Sequence, residues 1–414
     1  MSRQLARTLI LGLNYPPEPT GNSPYTGSMA RGLAARGTTT HVLTAHPHYP
    51  QWRIAEGYGQ WTRNETVGDV QLTRVRHYVP SRPSGIRRAL SELSFGLRLA
   101  GARWRGPDAI VGVSPALLST AVARLRTFVT HRNTPFVVWV QDLYSLGLEE
   151  TGQGGGTALK AMRIIEGWVL RHATQVVVIH DRFARRVQED FGVPKERVTV
   201  IRNWTHLPPT PPVDRAAYRE RFGWRAGETI VLHAGNMGVK QGLENVIDAA
   251  RLAAQVAAPV RFVLLGGGSE HARLEAAAKG LDTVSFMSSL PDDDFAAALQ
   301  SADVLLVNEK PGVSEMAVPS KLTSYFTAGR PVLAATDEEG ITAEEIRTAD
   351  AGRIVAAGDP AALLEAALAL SADHEESERL GVNGRRYRED VLDENAAITK
   401  FAELLEKLTV GRAR

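Results

Sequence analysis

The sequence predicts an α/β protein of two doubly wound domains, each a parallel sheet with helices on both faces. Three observations carry that reading. Short β-rich runs alternate with helical stretches; the alternation stops at a proline-rich segment and starts afresh behind it; and 414 residues exceed what one ordinary core organises. With 43% hydrophobic and 23% charged residues, the composition is that of a globular chain.

The first strand series reads TLILGLN (residues 8–14), THVLTA, VQLTRVR, AIVGV, PFVVWVQD, QVVVIH and VTVIRN. Helices over 158–172 and 181–191 lie among the stretches between them. Such alternation predicts parallel strands buried on both faces. NWTHLPPTPPV (203–213) follows as the linker, because proline continues neither a helix nor a central strand. The second series reads TIVLHAGN, RFVLLGG, TVSFM, ADVLLVN, RPVLAAT and AGRIV. No sequence repeat relates the two halves, which share architecture only.

Composition narrows the function classes. No apolar run approaches the roughly 18 residues of a membrane span, and the N-terminus lacks an apolar signal region of about 7 to 15 residues, so a cytoplasmic protein is expected. Zero cysteines leave no disulfide, thiolate nucleophile or cysteine zinc site. The net charge of +2 hides a split: residues 1–205 carry roughly 26 basic against about 14 acidic side chains, and the remainder is acidic. A basic half is suited to an anionic partner such as a phospholipid surface. The basic residues lack interleaved aromatics and any nucleic-acid-binding motif, so no nucleic-acid partner is expected.

Three constellations carry chemistry. In YPPEPTGNSPYTGSMARGLAARG (15–37), a strand ends in a loop where Gly21 and Asn22 allow positive φ and close approach of a ligand. A helix from about Tyr25 then aims free N–H groups at that loop. An ordinary βα turn reads the same way, and neither G-x-G-x-x-G nor a Walker lysine is present. In LHAGNMGVKQGLENVIDAARLAA, a strand turns through Gly235, Asn236 and Gly238, with Lys240 and Gln241 at the exit of the loop. Glycines, exposed amides and one cation at a helix start fit a diphosphate. LLGGGSEHARLE adds a second glycine turn at Gly266 and Gly267, with Glu270 and Glu275 available to hydroxyl groups. In PGVSEMAVPSKLTSYFTAGRPVLAAT (311–336), Pro319 and Ser320 open a helix that carries Lys321 in its first turn, and Glu315 lies just ahead. A sugar nucleotide suits this set, with Ser320 and Lys321 toward phosphate and Glu315 toward sugar hydroxyls. A capped structural helix is the alternative.

Other clusters read as structural. The eleven histidines show no metal-ligand spacing, and His46 to His48 form a loop. Asp292, Asp293 and Asp294 open a helix, where its dipole favours acids. No metal site or cofactor is expected. In residues 81–106, Arg82, Arg87, Arg88, Arg98, Arg103 and Arg105 alternate with Leu90, Leu93, Phe95, Leu97, Leu99 and Trp104. This is the composition of a helix lying in a membrane interface, or of a surface helix facing its own core.

Taken in order, YPPEPTG, LAARG, HYP, WVQDLY, Asn203-Trp204, GNMGVKQGL, LLGGG and VPSKLTSYFTAGRPVLA resemble a family 4 glycosyltransferase of the GT-B fold over nearly the whole chain. The branch most resembled builds bacterial exopolysaccharides such as colanic acid. The resemblance implies two Rossmann-like domains facing across a cleft: residues 1–205 for the acceptor, residues 206–386 for the nucleotide sugar, and a C-terminal helix in 387–414 returning to the first domain. It implies a retaining hexosyl transfer from a nucleotide diphosphate sugar to a saccharide or lipid-linked acceptor, at the inner face of the cytoplasmic membrane.

Two departures from the family pattern stand out. Many members carry two glutamates seven residues apart before and within the PSK helix. Here the helix position is Ser324, the upstream one falls at Ser314 or Met316, and the acid there is Glu315. A histidine that many relatives place after a strand of the first domain corresponds to Gln141, followed by Asp142. Such a transfer passes through an oxocarbenium-like state, so it needs the departing diphosphate stabilised and the acceptor hydroxyl delivered. Lys240, Lys321 and the helix starts meet the first need without a divalent metal. Asp142 is the candidate for orienting the acceptor, beside Gln141, with Arg87, Arg88 and Arg98 toward the acceptor or a membrane. A soluble natural-product acceptor, a nucleotide-sugar epimerase and a non-catalytic assembly partner are the alternatives.

Overall fold

The computed structural model describes residues 6–19, 21–82, 85–150, 156–205, 211–313 and 320–410. The chain divides into two compact units, Met1–His206 together with Glu394–Arg414, and Leu207–Asp393.

The first unit holds strands β1 (Arg7–Gly12), β2 (Thr39–Ala45), β3 (Thr62–Val67), β4 (Val70–Val75), β5 (Ala109–Val113), β6 (Phe136–Val140), β7 (Gln175–Val178) and β8 (Val198–Val200). They form one sheet in the order β3-β4-β2-β1-β5-β6-β7-β8. Its helices are α1 (Ser23–Ala35), α2 (Gly85–Gly101), α3 (Leu117–Thr130), α4 (Tyr144–Glu150), α5 (Gly156–His172) and α6 (Asp181–Glu189). AIVGV and FVVWV are buried at every position, as strands covered on both faces must be. β3 is absent from the sequence reading. TRNETV has no apolar alternation because it is a largely exposed edge strand, antiparallel to β4 across a turn at Gly68 (φ +59°).

In the second unit the elements run α7 (Arg215–Arg221), β9 (Thr229–Ala234), α8 (Glu244–Gln255), β10 (Val260–Leu265), α9 (His271–Ala277), β11 (Val284–Met287), α10 (Asp292–Ser301), β12 (Val304–Asn308), α11 (Ser320–Ala328), β13 (Val332–Thr336), α12 (Ile341–Ala349), β14 (Gly352–Ala356), α13 (Pro360–Ala372) and α14 (His374–Asp390). The sheet order is β11-β10-β9-β12-β13-β14, all parallel. Strand order reverses between β9 and β12, the crevice position where doubly wound sheets bind ligands.

The stretch read as linker begins too early. Trp204 is fully buried in the first unit, stacked on Trp139 at 5.9 Å, with its Nε1 donating to Ser28 Oγ at 2.9 Å. An indole with a satisfied N–H belongs to a core. At the other end, α14 carries the second unit past residue 387, and the change of unit falls after Asp393. Helix α15 (Glu394–Val410) then packs on the first unit. Its Phe401 meets Trp139 edge-on at 4.9 Å, and Ile398 lies where a Cβ on Gly32 would be 2.5 Å from its Cδ1. Glycine at position 32 is what lets α15 approach α1. Among the described residues no helix is long and apolar enough to cross a membrane.

Candidate active site

In the second unit the two glycine turns are one construction. Past the ends of β9 and β10 the hydrogen-bond ladder continues: Gly235 N–H donates to Leu265 O (2.9 Å), Met237 N–H to Gly267 O (2.8 Å) and Glu270 N–H to Met237 O (3.0 Å). The contact is so close that a Cβ on Gly266 (φ +128°) would stand 2.2 Å from Gly235 O, and one on Gly268 (φ +156°) 2.4 Å from Met237 O. Only glycine fits either place. Among the described residues the amides of Asn236, Gly267 and Gly268 meet no acceptor, and all three residues are exposed. Unsatisfied amides gathered on paired loops are the makings of an anion site.

The exit of the first loop is held from β12. Buried Asn308 donates to Gln241 O (2.7 Å) and Gly242 O (3.0 Å) and accepts from Asn245 Nδ2 (2.9 Å), while Lys310 N–H donates to Lys240 O (2.8 Å). Gln241 turns its side chain inward, where Oε1 accepts from Gly238 N–H at 3.0 Å. Its role in the loop is therefore a cap.

Lys321 reaches this place by helical register. Tyr325, buried on α11, accepts from Ala234 N–H (2.9 Å) and donates to Leu306 O (3.0 Å), which fixes the helix against the ends of β9 and β12. One turn earlier, at i−4, Lys321 projects on the same face. Its Cε lies 3.9 Å from where a Cβ on Gly235 would be, and its Nζ donates to His233 Nε2 at 3.4 Å. Burial pulls the ammonium down to about 8, and Glu309 acts against that. Burial, then the charge of Lys321, holds His233 well below the usual imidazole range, so it stays neutral. Burial pushes the Glu309 carboxyl up, opposed by hydrogen bonds from Thr336 and Thr342 and by Lys321. A buried ammonium beside a neutral imidazole, with the Glu309 carboxylate held by Thr336 and Thr342, keeps its charge poorly screened and can receive an anion.

In the first unit, Gly21 (φ +70°) is exposed and α1 begins at Ser23. The Asn22 side chain does not cap α1; it donates to Ser114 O at 3.0 Å and ties the β1 loop to the β5 loop. At the end of β6, Gln141 Oε1 accepts from Asn203 Nδ2 at 2.7 Å. Gln141 Nε2 and Asn203 Oδ1 are both buried with no partner among the described residues. The end of β6 thus keeps one donor and one acceptor open, and a buried polar group left unpaired costs stability. Asp142 is half-buried, and its backbone carbonyl accepts from Ser114 Oγ (2.9 Å). Buried Glu166 accepts from Tyr144 N–H (2.7 Å) and Ser145 N–H (3.0 Å), anchoring the loop that follows Asp142.

Glu315, Ser314, Met316 and Pro319 lie outside the described residues, as does the side chain of Ser320. On α2, Arg87 and Arg88 are exposed, whereas Arg98 donates to Trp61 O (2.6 Å), Arg76 O (3.2 Å) and Thr62 Oγ1 (3.0 Å) and stacks on Trp61. The sequence reading missed His233, Glu309, Glu166 and Glu18. Glu18 is buried and accepts from His48 N–H (2.7 Å), Tyr49 N–H (2.9 Å) and Asn14 Nδ2 (2.9 Å), which shapes the first loop. The available signal was a polar residue inside or just after an apolar strand, as in VLHA and VLLVNE. Among the described residues no group of three or more histidines and acids could hold a metal ion.

Family models match in tandem: a glycosyl transferase 4-like domain over residues 20–204 and glycosyl transferases group 1 over residues 214–387. A protein of Escherichia coli (strain K12) named as a colanic acid biosynthesis glycosyl transferase, WcaI, is 35% identical over 339 residues, covering 78% of this chain and 81% of that one. Among solved structures, sucrose-phosphate synthase from Thermosynechococcus elongatus superposes with a TM-score of 0.76 at 19% identity, over 98% of this chain and 100% of that one. The Anabaena protein HepE in complex with UDP-glucose superposes with a TM-score of 0.69 at 16% identity, over 97% and 99%. The paired Rossmann-like sheets are thus the GT-B fold, and the chain belongs to the glycosyltransferases, 4-like in its first half and group 1 in its second.

Proposed function

We propose that this glycosyltransferase moves a hexosyl group, with retention of configuration, from a nucleotide diphosphate sugar to a lipid-linked saccharide during polysaccharide assembly. The observation that carries the reading is the buried Lys321 ammonium under paired glycine loops in which the amides of Asn236, Gly267 and Gly268 meet no acceptor among the described residues. A diphosphate leaving group concentrates negative charge where those donors converge, so their effect grows as the glycosyl bond breaks. Lys240, at the loop exit, supplies a second cation. With that charge provided by lysines and amides, transfer proceeds without a divalent metal, and the only cosubstrate is the nucleotide sugar. Gln141 and Asp142 bind and orient the acceptor, and Glu315 contacts the donor sugar.

The kinship with a protein named for colanic acid biosynthesis supports polysaccharide assembly, and the HepE complex with UDP-glucose supports a uridine nucleotide sugar as donor. An outward apolar stripe on α2, Ile86, Leu90, Leu93 and Leu97, exposed beside Arg87 and Arg88, favours work at the inner face of an anionic membrane. The test is incubation with UDP-, GDP- and ADP-sugars and a lipid-linked saccharide, with and without EDTA, scored by nuclear magnetic resonance. Free nucleotide diphosphate and a product of the donor's own anomeric configuration, unaffected by EDTA, are expected. Inverted product, or activity that EDTA abolishes and magnesium restores, overturns the mechanism. An epimerised donor, transfer only to a soluble small molecule, or no donor consumed would each replace the function with one of the alternatives.

A further inference from the structure

At the amino-terminal edge of the second sheet, the end away from the glycine loops, lies a cavity of about 460 Å³. It is reached from the segments that lead into β12 and β13, and its wall includes Arg215, Arg330 and Arg385, together with Asp303, Ser371 and Ser377. The arginines outnumber the lining carboxylates, which are Asp303 and Glu378. Asp303, moreover, is fully engaged by the fold. Its oxygens accept from Arg215 Nη2 (2.9 Å), from Arg219 Nη1 (2.9 Å) and from Ile230 N–H (2.8 Å), which pins α7 to the start of β9 and β12.

Two guanidinium groups are left over. Arg330 donates through Nε to Gln300 O at 2.9 Å and makes no ion pair among the described residues. Arg385 lies against Gly329, where an added Cβ would come 2.2 Å from its Nη1, and it has neither a hydrogen bond nor an acidic partner among the described residues. Arg215 Nε is also buried without a partner among the described residues. Burial first, then the like charges of Arg215, Arg385 and Arg219 working against Asp303, pulls Arg330 down to about 10. Guanidinium groups crowded this way repel each other unless an anion joins them. Nothing in the sugar-transfer site uses them, since they stand at the opposite end of the strands.

We propose that this cavity binds a small phosphate-bearing anion, its phosphate between Arg330 and Arg385 and the rest of the molecule against Ser371 and Ser377. The planar fork of arginine matches phosphate oxygens two at a time. Ser371 Oγ accepts from Thr229 Oγ1 (2.7 Å) and keeps its own proton to donate, while Ser377 Oγ donates to Leu370 O (2.5 Å) and can still accept. The pair therefore suits the hydroxyl groups of a sugar phosphate or nucleoside phosphate. The volume suits a ligand of that size. Thr327 and Ala328 bring the C-terminal end of α11 into the cavity wall, so the occupant would touch the helix whose first turn carries Lys321.

The test is isothermal titration of the full chain with inorganic diphosphate at low ionic strength. Diphosphate also fits the glycine loops, so titration of Lys240→Ala separates the two classes. Binding that survives Lys240→Ala and weakens at least about tenfold in Arg385→Gln is expected, because charge-assisted hydrogen bonds are lost. Arg385→Lys, which keeps the charge without the fork, should fall between. Equal affinity in wild type, Arg385→Gln and Arg385→Lys, or loss of all binding in Lys240→Ala, overturns the proposal. Arg385 is exposed, so its variants are expected to fold, and their circular dichroism melts check that.

Discussion

Below about pH 8 the Lys321 side chain holds a proton that burial makes unfavourable, and the diphosphate proposed to bind there would offset that disadvantage by lifting its pKa. The sign of the pH effect follows. The depressed amine is charged below about 8 and loses its charge as pH rises through that value, so the donor KM should climb above about pH 8. In Lys321→Ala that rise should vanish. Lys240→Ala and Lys321→Ala should each lower turnover by roughly 10² to 10³, the usual loss when a charge-stabilising group is removed. Wild-type turnover in both variants would refute the site. The lysines were legible in the sequence because each stands at a loop exit or helix start, places defined by local chain chemistry. His233 and Glu309 were not, because they reach Lys321 from β9 and β12, and sequence spacing does not state which strand ends converge. The glycine turn was legible, but the reason for glycine at 266 and 268, a carbonyl oxygen that an added Cβ would meet at 2.2 to 2.4 Å, belongs to the paired loops.

Among the elements, α2 shows how periodicity underdetermines a helix. Its leucines and arginines were visible, yet they permitted either a core-facing helix or an interfacial one. The structure gives α2 two apolar sides: Phe95 and Leu99 are buried inside, and Ile86, Leu90, Leu93 and Leu97 form the outward stripe. Buried Glu92 lies on the inner side, with its carboxyl pushed up to about 7 by burial, and it accepts from Leu118 N–H at the start of α3 (3.3 Å). The outward stripe stays exposed, and Arg88 reaches back to Glu92 at 3.8 Å. Purified protein should therefore bind anionic vesicles more tightly than neutral ones and be released by salt, since each exposed cation contributes only about 1 kcal/mol. Arg87→Gln with Arg88→Gln should weaken that binding and leave donor hydrolysis intact. Arg98 is the wrong residue to change, because its guanidinium holds the Trp61 segment. Equal binding to both vesicle types would remove the membrane from the function.

For the whole molecule, two sheets of similar winding were readable because fully buried parallel strands appear as uninterrupted apolar runs. The polar edge strand β3 and the ownership of Trp204 were not, since both depend on neighbours distant in sequence. Helix α15 binds the first unit through Phe401 and Ile398. Phe401→Ala should cost the first unit about 3 to 5 kcal/mol, the range for a buried aromatic removed without collapse of the site. The readout is denaturant unfolding followed by tryptophan fluorescence, as Trp139 lies beside the lost ring and Trp204 stacks on Trp139. An unchanged midpoint would mean that α15 is only loosely applied. The same arrangement sets a timetable for the nascent chain. Gly32 and Trp139 leave the ribosome early, but the helix that covers them emerges only after all of Leu207–Asp393 has been made, a delay of roughly 10 to 40 seconds at about 5 to 20 residues per second. Throughout that interval an aromatic seam faces solvent, and the first-made unit becomes the last to close.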